Sequence, residues 1–166
     1  MDKENFDFEN EHRSDKRTFD DSIERRIREL FLSQDFAVLC TRNDAVPYGS
    51  LVAFVVSDDM RNIVFATLSY TRKYQLLEQC DQVAMLIDDR DKHTDRVSQI
   101  SALTINGAAK KIQDSDKIAN VKSRLLAKHN YLNELVSSDS CVFFLVDITR
   151  CLFVTHLQEV YEWTPD

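Results

Sequence analysis

Hydroxyl and cationic side chains are concentrated in one short stretch of this sequence, where an apolar run gives way to a different pattern. The residues concerned are Thr67, Ser69, Thr71, Arg72 and Lys73. The run 63–66 before them indicates a buried strand, and the apolar spacing up to Leu77 is typical of a helix. A helix begins with unpaired backbone N–H groups and the positive end of its dipole. Hydroxyls and cations at such a point are suited to an anion, and to a phosphate most of all.

A purely structural explanation of the same residues is also open. Ser69 or Thr71 can serve as the N-cap of the helix, with Arg72 and Lys73 as solvated residues of its first turn. Two exposed cations in a first turn oppose the helix dipole by roughly 0.3–1 kcal/mol each, unless a negative partner is present. This unfavourable placement of charge is compatible with an anion site but does not decide between the two explanations.

Composition limits the classes of partner. The 166 residues suit one domain, which can bury roughly two-thirds of its unfolded surface. With 28 acidic and 21 basic residues the net charge is −7, which argues against a broad nucleic-acid or lipid-binding surface. A local basic pocket is compatible with that balance.

The sequence contains no pattern typical of a metal site, a catalytic triad or a nucleotide-binding loop. The four cysteines lie far apart, without the Cys-x-x-Cys or Cys/His spacing of a metal site, so we expect reduced thiols. No Ser/His/Asp arrangement or phosphate-binding Gly-rich loop is present. The amino terminus lacks the apolar core of a signal peptide, and no apolar run reaches the roughly 18 residues of a membrane span. We therefore expect a cytoplasmic protein.

The elements that must position the hydroxyl and cationic stretch are mainly strands. Residues 1–19 are mostly charged and predict a flexible arm, and 20–166 a single domain. An amphipathic helix, capped by Asp21 or Ser22, is predicted to end near Ser33, with Ile23, Ile27, Leu30 and Phe31 on one side. The predicted strands are 36–41, 47–56, 62–67, 82–88, two pieces within 97–112, 141–146 and 151–160, with helices at 71–79, from 115 onward and at 129–135.

This order predicts a fold that is mainly β with flanking helices. Consecutive strands joined by short turns form an antiparallel sheet that closes into a barrel or packs as a sandwich. Gly107 is the only interruption in its β-type region, where a bulge or a close approach of two backbones is expected.

Several segments, taken in this order, resemble the FMN-binding split-barrel family, the superfamily of pyridoxamine 5'-phosphate oxidase. The similarity extends from about residue 22 to 163, and the segments concerned are Val-Pro-Tyr-Gly-Ser-Leu-Val at 46–52, Ala-Thr-Leu-Ser-Tyr-Thr-Arg-Lys-Tyr at 66–74, 82–88, 102–108 with its Thr-Ile-Asn-Gly, 144–149 and 156–163. The resemblance implies an antiparallel split β-barrel of six strands, a homodimer and two FMN sites at the dimer interface.

The resemblance also implies roles for individual residues at the phosphate end of the cofactor. Thr67, Ser69, Arg72 and Lys73 would hold the FMN phosphate, with Lys73 as a point charge and Arg72 able to bind two oxygens at once.

At the ring end, the resemblance places Tyr48, Gly49, Ser50 and Leu51 along the isoalloxazine. Gly49 would allow close approach. A bulge at the start of the strand explains Gly49 equally well without a ligand.

The charged loop 88–96 follows the family pattern only in part. Arg90 or His93 could reach the phosphate or the ribityl hydroxyls, and Gln99 could form a hydrogen bond with the flavin edge, although a solvated surface loop is an alternative for these residues. His156 lies beside the tail segment, where it could pack near the ring or serve as a structural histidine.

By resemblance, the protein is an FMN-dependent oxidoreductase of unidentified substrate, in which hydride passes to the flavin N5 and an acceptor removes the electrons. Oxidation of pyridoxamine phosphate is not expected, because the tail ends Glu-Trp-Thr-Pro-Asp without an Arg-x-His motif. Two alternatives stay open: a haem or deazaflavin cofactor, or a protein that stores or senses flavin without turnover.

Overall fold

The computed structural model describes residues 20–43, 46–93, 95–155 and 159–164. The predicted arm, residues 1–19, lies outside the described residues. The elements are α1 (Asp21–Ser33), β1 (Phe36–Arg42), β2 (Pro47–Val56), β3 (Asn62–Leu68), α2 (Arg72–Leu77), β4 (Gln82–Asp88), β5 (Ala102–Lys111), α3 (Ser115–Lys128), α4 (Asn133–Val136), β6 (Cys141–Thr155) and β7 (Glu159–Trp163). Short 3₁₀ turns at Val97–Gln99 and Asn130–Leu132 precede β5 and α4. None of the helices in these ranges is long and apolar enough to cross a membrane.

Six strands form a closed antiparallel barrel. β3, β2, β1, β4, β5 and β6 are neighbours in that order, and β3 also pairs with β6, which closes the ring. β7 extends the sheet by pairing with the second half of β6. Phe54, Phe65, Phe144 and Phe153 are almost fully buried in the barrel core. The predicted fold class, a mainly β split barrel with flanking helices, is confirmed.

The last third of the barrel differs from the prediction. We predicted separate strands at 141–146 and 151–160, but a single strand, β6, runs from Cys141 to Thr155, and β7 follows as the last strand. The polar residues between the predicted strands are held extended by β5, which pairs with β6 on both sides of them. Asp147 among them accepts hydrogen bonds from Asn62 and Lys110 of the flanking strands.

β5 is likewise one strand instead of two pieces, and it contains the predicted irregularity. Its register against β6 shifts between Asn106 and Gly107. A Cβ atom on Gly107 would lie 2.5 Å from the backbone oxygen of Asp147. Only glycine permits this approach of the two backbones.

Helix α1 closes one end of the barrel with the predicted apolar stripe. Ile23, Ile27, Leu30 and Phe31 are all buried. The cap is Asp20, not Asp21 or Ser22, because its carboxylate accepts the N–H groups of residues 22 and 23. The helix thus begins one residue earlier than the sequence indicates.

The helical insertion, which we define as residues 115–136, packs on the barrel beside β3. Leu125 and Val136 are buried against Val64 and Phe143. The end of α3 is held to the C-terminal end of α1 by Lys128, whose ammonium donates to the backbone oxygens of Phe31 at 3.0 Å and Gln34 at 2.7 Å. Burial lowers the pKa of Lys128 to about 8.

The next residue, His129, is fully buried. Its Nε2 lies 2.8 Å from the backbone oxygen of Phe54, and since a carbonyl only accepts, this nitrogen carries the proton. The hydroxyl of Tyr131 lies 3.3 Å from the other ring nitrogen. His129 is therefore a satisfied structural histidine that holds the segment leading into α4.

Candidate functional site

An open cavity of about 240 Å³ lies between β2, β3, the start of α2 and the helical insertion. We call it the Lys73 cavity. Its walls are Phe36, Leu51, Val52, Ala53, Ala66, Thr67, Leu68, Thr71, Lys73, Leu132 and Leu135. Most of these side chains are apolar, and among the described residues its polar side chains are the hydroxyls of Thr67 and Thr71 and the ammonium of Lys73. A site of this composition suits a ligand with an apolar body and an anionic end.

The two hydroxyls are held by the turn from β3 into α2. Thr67 is 3% exposed, and its Oγ1 lies 3.0 Å from Oγ1 of Thr71. Thr71 also donates to the backbone oxygen of Leu68 and accepts the N–H of Tyr74 at 3.4 Å, so it is the N-cap of α2. The predicted capping role of Thr71 is confirmed, and the same residue contributes to the cavity.

Lys73 is half-buried and lines the cavity, and burial lowers the pKa of its ammonium. Within the described ranges, no carboxylate lies within ion-pair distance of Lys73, and its ammonium forms no hydrogen bond. A half-buried cation is normally paired, because removing it from water without a partner is costly. The cavity therefore contains an ammonium that is suited to an anionic ligand.

Ser69 and Arg72, the other two residues assigned to the phosphate, do not line this cavity. The backbone N–H of Ser69 donates to the backbone oxygen of Ser140 at 2.9 Å. Arg72 is exposed at the start of α2. Their assignment to the phosphate remains a prediction.

The four residues assigned to the flavin ring follow one another along β2. Of these, only Leu51 lines the cavity, and it is 62% exposed. Gly49 pairs regularly with Cys40, so the alternative of a bulge at this glycine does not hold. Tyr48 is also exposed.

Ser50 differs from its neighbours on β2. Its Oγ is buried and has no hydrogen-bond partner among the described residues. An unpaired buried hydroxyl is uncommon in a folded protein and indicates a missing partner.

Gln99 and His93 lie elsewhere in the molecule. Both line a second pocket, which shares no residue with the Lys73 cavity. Arg90 lines a third pocket beside Leu51 and forms an ion pair with Asp88 at 3.0 Å. A single chain thus does not bring Gln99 to Lys73, and its assignment to the flavin edge remains a prediction. His156 lies outside the described residues.

Three lining residues of the cavity come from segments in which no site residue was predicted from the sequence. Leu132 and Leu135 come from the helical insertion, and Phe36 from the start of β1. The apolar spacing at 132, 135 and 136 is a signal that this segment must pack on something. Which surface it packs on depends on the fold of the barrel.

Comparisons with known proteins agree with this architecture. A model of the family described as pyridoxamine 5'-phosphate oxidase matches residues 23–162. No curated protein sequence matches this chain. Solved structures share the fold at low sequence identity. They include a heme binding protein from Mycobacterium smegmatis with a TM-score of 0.71 and 13% identity, which covers 81% of this chain and 55% of its own.

Two further structures cover most of both chains. HutZ, the heme storage protein from Vibrio cholerae, has a TM-score of 0.66 and 17% identity, over 75% of this chain and 89% of its own. An FAD-binding protein from Mesorhizobium loti has a TM-score of 0.61 and 15% identity, over 78% and 90%. At these identities the structures establish the fold alone. Since the family model spans most of the sequence, this chain belongs to the pyridoxamine 5'-phosphate oxidase family.

Proposed function

We propose that this protein binds FMN and acts as an FMN-dependent oxidoreductase. The observation that carries the proposal is Lys73, a half-buried ammonium without an acidic partner in the described part of the chain, in a largely apolar cavity. Thr71 donates its single proton to the backbone oxygen of Leu68, so the hydroxyl of Thr67 donates to Thr71 and lines the cavity as an acceptor. The phosphate would accept hydrogen bonds from the ammonium of Lys73. Bonds of this charge-assisted kind are the strong ones in phosphate sites.

From Lys73, the ring of the cofactor would extend along the outer side of β2. Leu51 and Gly49 lie on that side, opposite Val38 and Cys40 of β1. A Cβ on Gly49 would meet only Val38 Cγ1, at 3.8 Å, so the backbone leaves room for a flat ligand there. Bound FMN supplies hydride chemistry at the flavin ring. The residues of this chain bind its phosphate, orient the ring and exclude water from one of its faces.

Replacing Gly49 by alanine tests the ring position. We expect the free energy of unfolding of the apoprotein to stay the same or to rise slightly, because the new methyl group has space and glycine is unfavourable in a strand. FMN affinity should fall by roughly 1–3 kcal/mol, the cost of adding a methyl group to a packed contact. Fluorescence titration with FMN measures the affinity, and urea unfolding measures the stability. Unchanged affinity would place the ring elsewhere.

We further propose that the protein is a homodimer with the FMN sites at its interface. Leu51 is 62% and Phe36 45% exposed, and both share one side of the sheet with Val38 and Leu86. Contiguous exposed apolar side chains of this kind mark interaction surfaces. The Lys73 cavity opens beside them, so a second copy on this surface would cover a ligand there.

Leu51→Asp is expected to convert the dimer into a folded monomer. Leu51 is exposed in the single chain, so the change does not disturb the fold, but the new carboxylate would be buried without a partner in the interface. Sedimentation measures the oligomeric state. Leu32→Asp is the matched control, since Leu32 is 67% exposed and belongs to α1 instead of the sheet. A monomer that retains full FMN occupancy would contradict the interface model.

A second candidate is binding or storage of haem, which the names of two structural relatives support. The Lys73 cavity provides little support for haem, because among the described residues no His, Cys, Met or Tyr lines it to ligate iron. The apolar walls and the cation would also suit a deazaflavin cofactor with a phosphate group.

The absorption spectrum and the mass of the cofactor released from protein purified without added flavin distinguish these candidates. We expect flavin bands and the mass of FMN; a haem band or a deazaflavin mass would contradict the proposal. Oxidation of reduced nicotinamide cofactor faster than with free FMN would support the oxidoreductase. A rate equal to that of free FMN would instead identify a flavin storage or sensing protein.

A further inference from the structure

A second pocket, of about 390 Å³, lies between α1 and the loop that follows β4. We call it the Arg26 pocket; its polar lining includes Arg26, Glu29, Asp89, His93, Gln99 and Ser101. In the part of the chain that the structure describes, it shares no lining residue with the Lys73 cavity, and Leu30 is its only apolar lining residue. The pocket has the volume of a small-molecule site but suits a polar ligand.

Arg26 is the half-buried cation of this pocket. Its Nη2 donates to Oγ1 of Thr155 and, at 3.5 Å, to Oγ of Ser101, and its guanidinium lies 5.3 Å from the ring centre of Phe153. A guanidinium has five N–H donors. Among the described residues, Nε and Nη1 of Arg26 donate to nothing, and no carboxylate forms an ion pair with it. One of the three guanidinium nitrogens is therefore held by the protein, and the other two have no acceptor among the described residues.

The acidic residues of the pocket do not compensate Arg26. Asp89 accepts the backbone N–H of Ser101 at 2.7 Å and lies 3.6 Å from Nε2 of His93. Glu29 is exposed on the surface of α1. The amide of Gln99 and the hydroxyl of Ser101 add hydrogen-bond donors beside the guanidinium.

We propose that the Arg26 pocket binds the oxyanion group, a carboxylate or a phosphate, of a small polar molecule. The free N–H groups, on Nε and Nη1, lie on different sides of Nη2, so each can donate singly to an oxygen of such a group, and the positive charge strengthens these bonds. A cleft of about 240 Å³ adjoins the pocket through Lys92, His93 and Gln99 and adds Arg96 and Asp95. It gives room for the rest of the molecule and brings a further cation. Within one chain this pocket is separate from the Lys73 cavity, because the two have no lining residue in common. Gln99, which the resemblance assigns to the flavin edge, lies in its lining.

Titration of ¹⁵N-labelled protein with inorganic phosphate, and separately with acetate, at constant ionic strength tests the proposal. We expect saturating shifts in the backbone amides of His93, Gln99 and Ser101. The stronger of the two probes identifies the oxyanion class. The shifts should persist in Lys73→Ala, which separates this pocket from the proposed FMN phosphate site. Chloride over the same range should leave these amides unshifted.

Arg26→Gln should weaken the binding by about tenfold or more, as expected for the loss of a charge-assisted hydrogen bond. Arg25→Gln is the matched control, because Arg25 is exposed on the same helix and does not line the pocket. If Arg26→Gln does not fold, Gln99→Ala combined with Lys92→Ala should weaken the binding instead. The absence of saturating shifts in the parent protein, or equal affinity in the pocket variants, would overturn the proposal.

Discussion

Replacing Lys73 by methionine is expected to weaken FMN binding by about 1.5–3 kcal/mol, the range for a hydrogen bond to a charged group. The same change should leave the stability of the apoprotein unchanged or increase it. Burial lowers the pKa of Lys73, so the folded state disfavours the charged amine relative to the unfolded state. Methionine removes that cost and keeps the apolar stem. Lower affinity combined with undiminished apoprotein stability is the signature of a residue kept for its ligand.

The control for this experiment is the adjacent cation. Arg72 is exposed and does not line the cavity, so Arg72→Met should cost less affinity than Lys73→Met. Lys73→Arg retains the positive charge and should restore part of the binding. FMN titration followed by flavin fluorescence measures all three variants. If Lys73→Met binds FMN as tightly as the parent, the phosphate does not lie at Lys73.

The contrast between these two cations also defines what the sequence could predict about the site. A concentration of hydroxyls and cations between a strand and a helix was visible from residue types alone. Which of them faces the cavity depends on where β3 ends and α2 begins. Successive residues of a helix point in directions about 100° apart, so Arg72 turns to solvent and Lys73 turns inward. A shift of one residue in that boundary would place a different side chain at the cavity.

The walls contributed from distant parts of the chain were beyond sequence reasoning for a different reason. The apolar spacing of Leu132 and Leu135 indicates a buried helical face, but not the surface that buries it. That surface is set by Lys128 and His129, which fasten the insertion to the backbone of Phe31, Gln34 and Phe54. Carbonyl groups at these positions carry no signal in the side-chain pattern.

The barrel itself was predictable in its strand order and not in the continuity of its longest strand. Local alternation predicts β1 to β4, because each strand pairs with the next element in the chain or with one nearby. The polar residues around Asp147 resemble a turn when considered alone. They stay extended because β6 is paired on both of its edges. One edge pairs with β5 along most of its length; the other pairs with β3 in its first half and with β7 in its second half. Such long-range pairing overrides local preference.

Gly107→Ala is expected to be the most destabilising single-methyl change in the barrel. The new Cβ would lie 2.5 Å from the backbone oxygen of Asp147 and 2.7 Å from Cγ1 of Val146. The Val146 side chain can adjust, but the Asp147 oxygen belongs to the backbone of a strand paired on both sides. Overpacking of this kind costs about 1–3 kcal/mol or more. For a domain of this size, that corresponds to a fall in Tm of roughly 2–4 °C per kcal/mol.

Gly49→Ala is the control for Gly107→Ala, because both glycines lie in strands of the same sheet and differ in the space available for a new methyl group. Space beside Gly49 is open, and the space beside Gly107 is occupied by backbone. Urea unfolding of the two apoproteins should therefore show a large loss of stability for Gly107→Ala and none for Gly49→Ala. FMN titration, with Gly107→Ala measured under conditions in which it remains folded, should show a larger loss of affinity for Gly49→Ala than for Gly107→Ala. Equal unfolding midpoints for Gly107→Ala and the parent protein would mean that β5 and β6 do not approach so closely at this glycine. In that case, the register shift would need another cause.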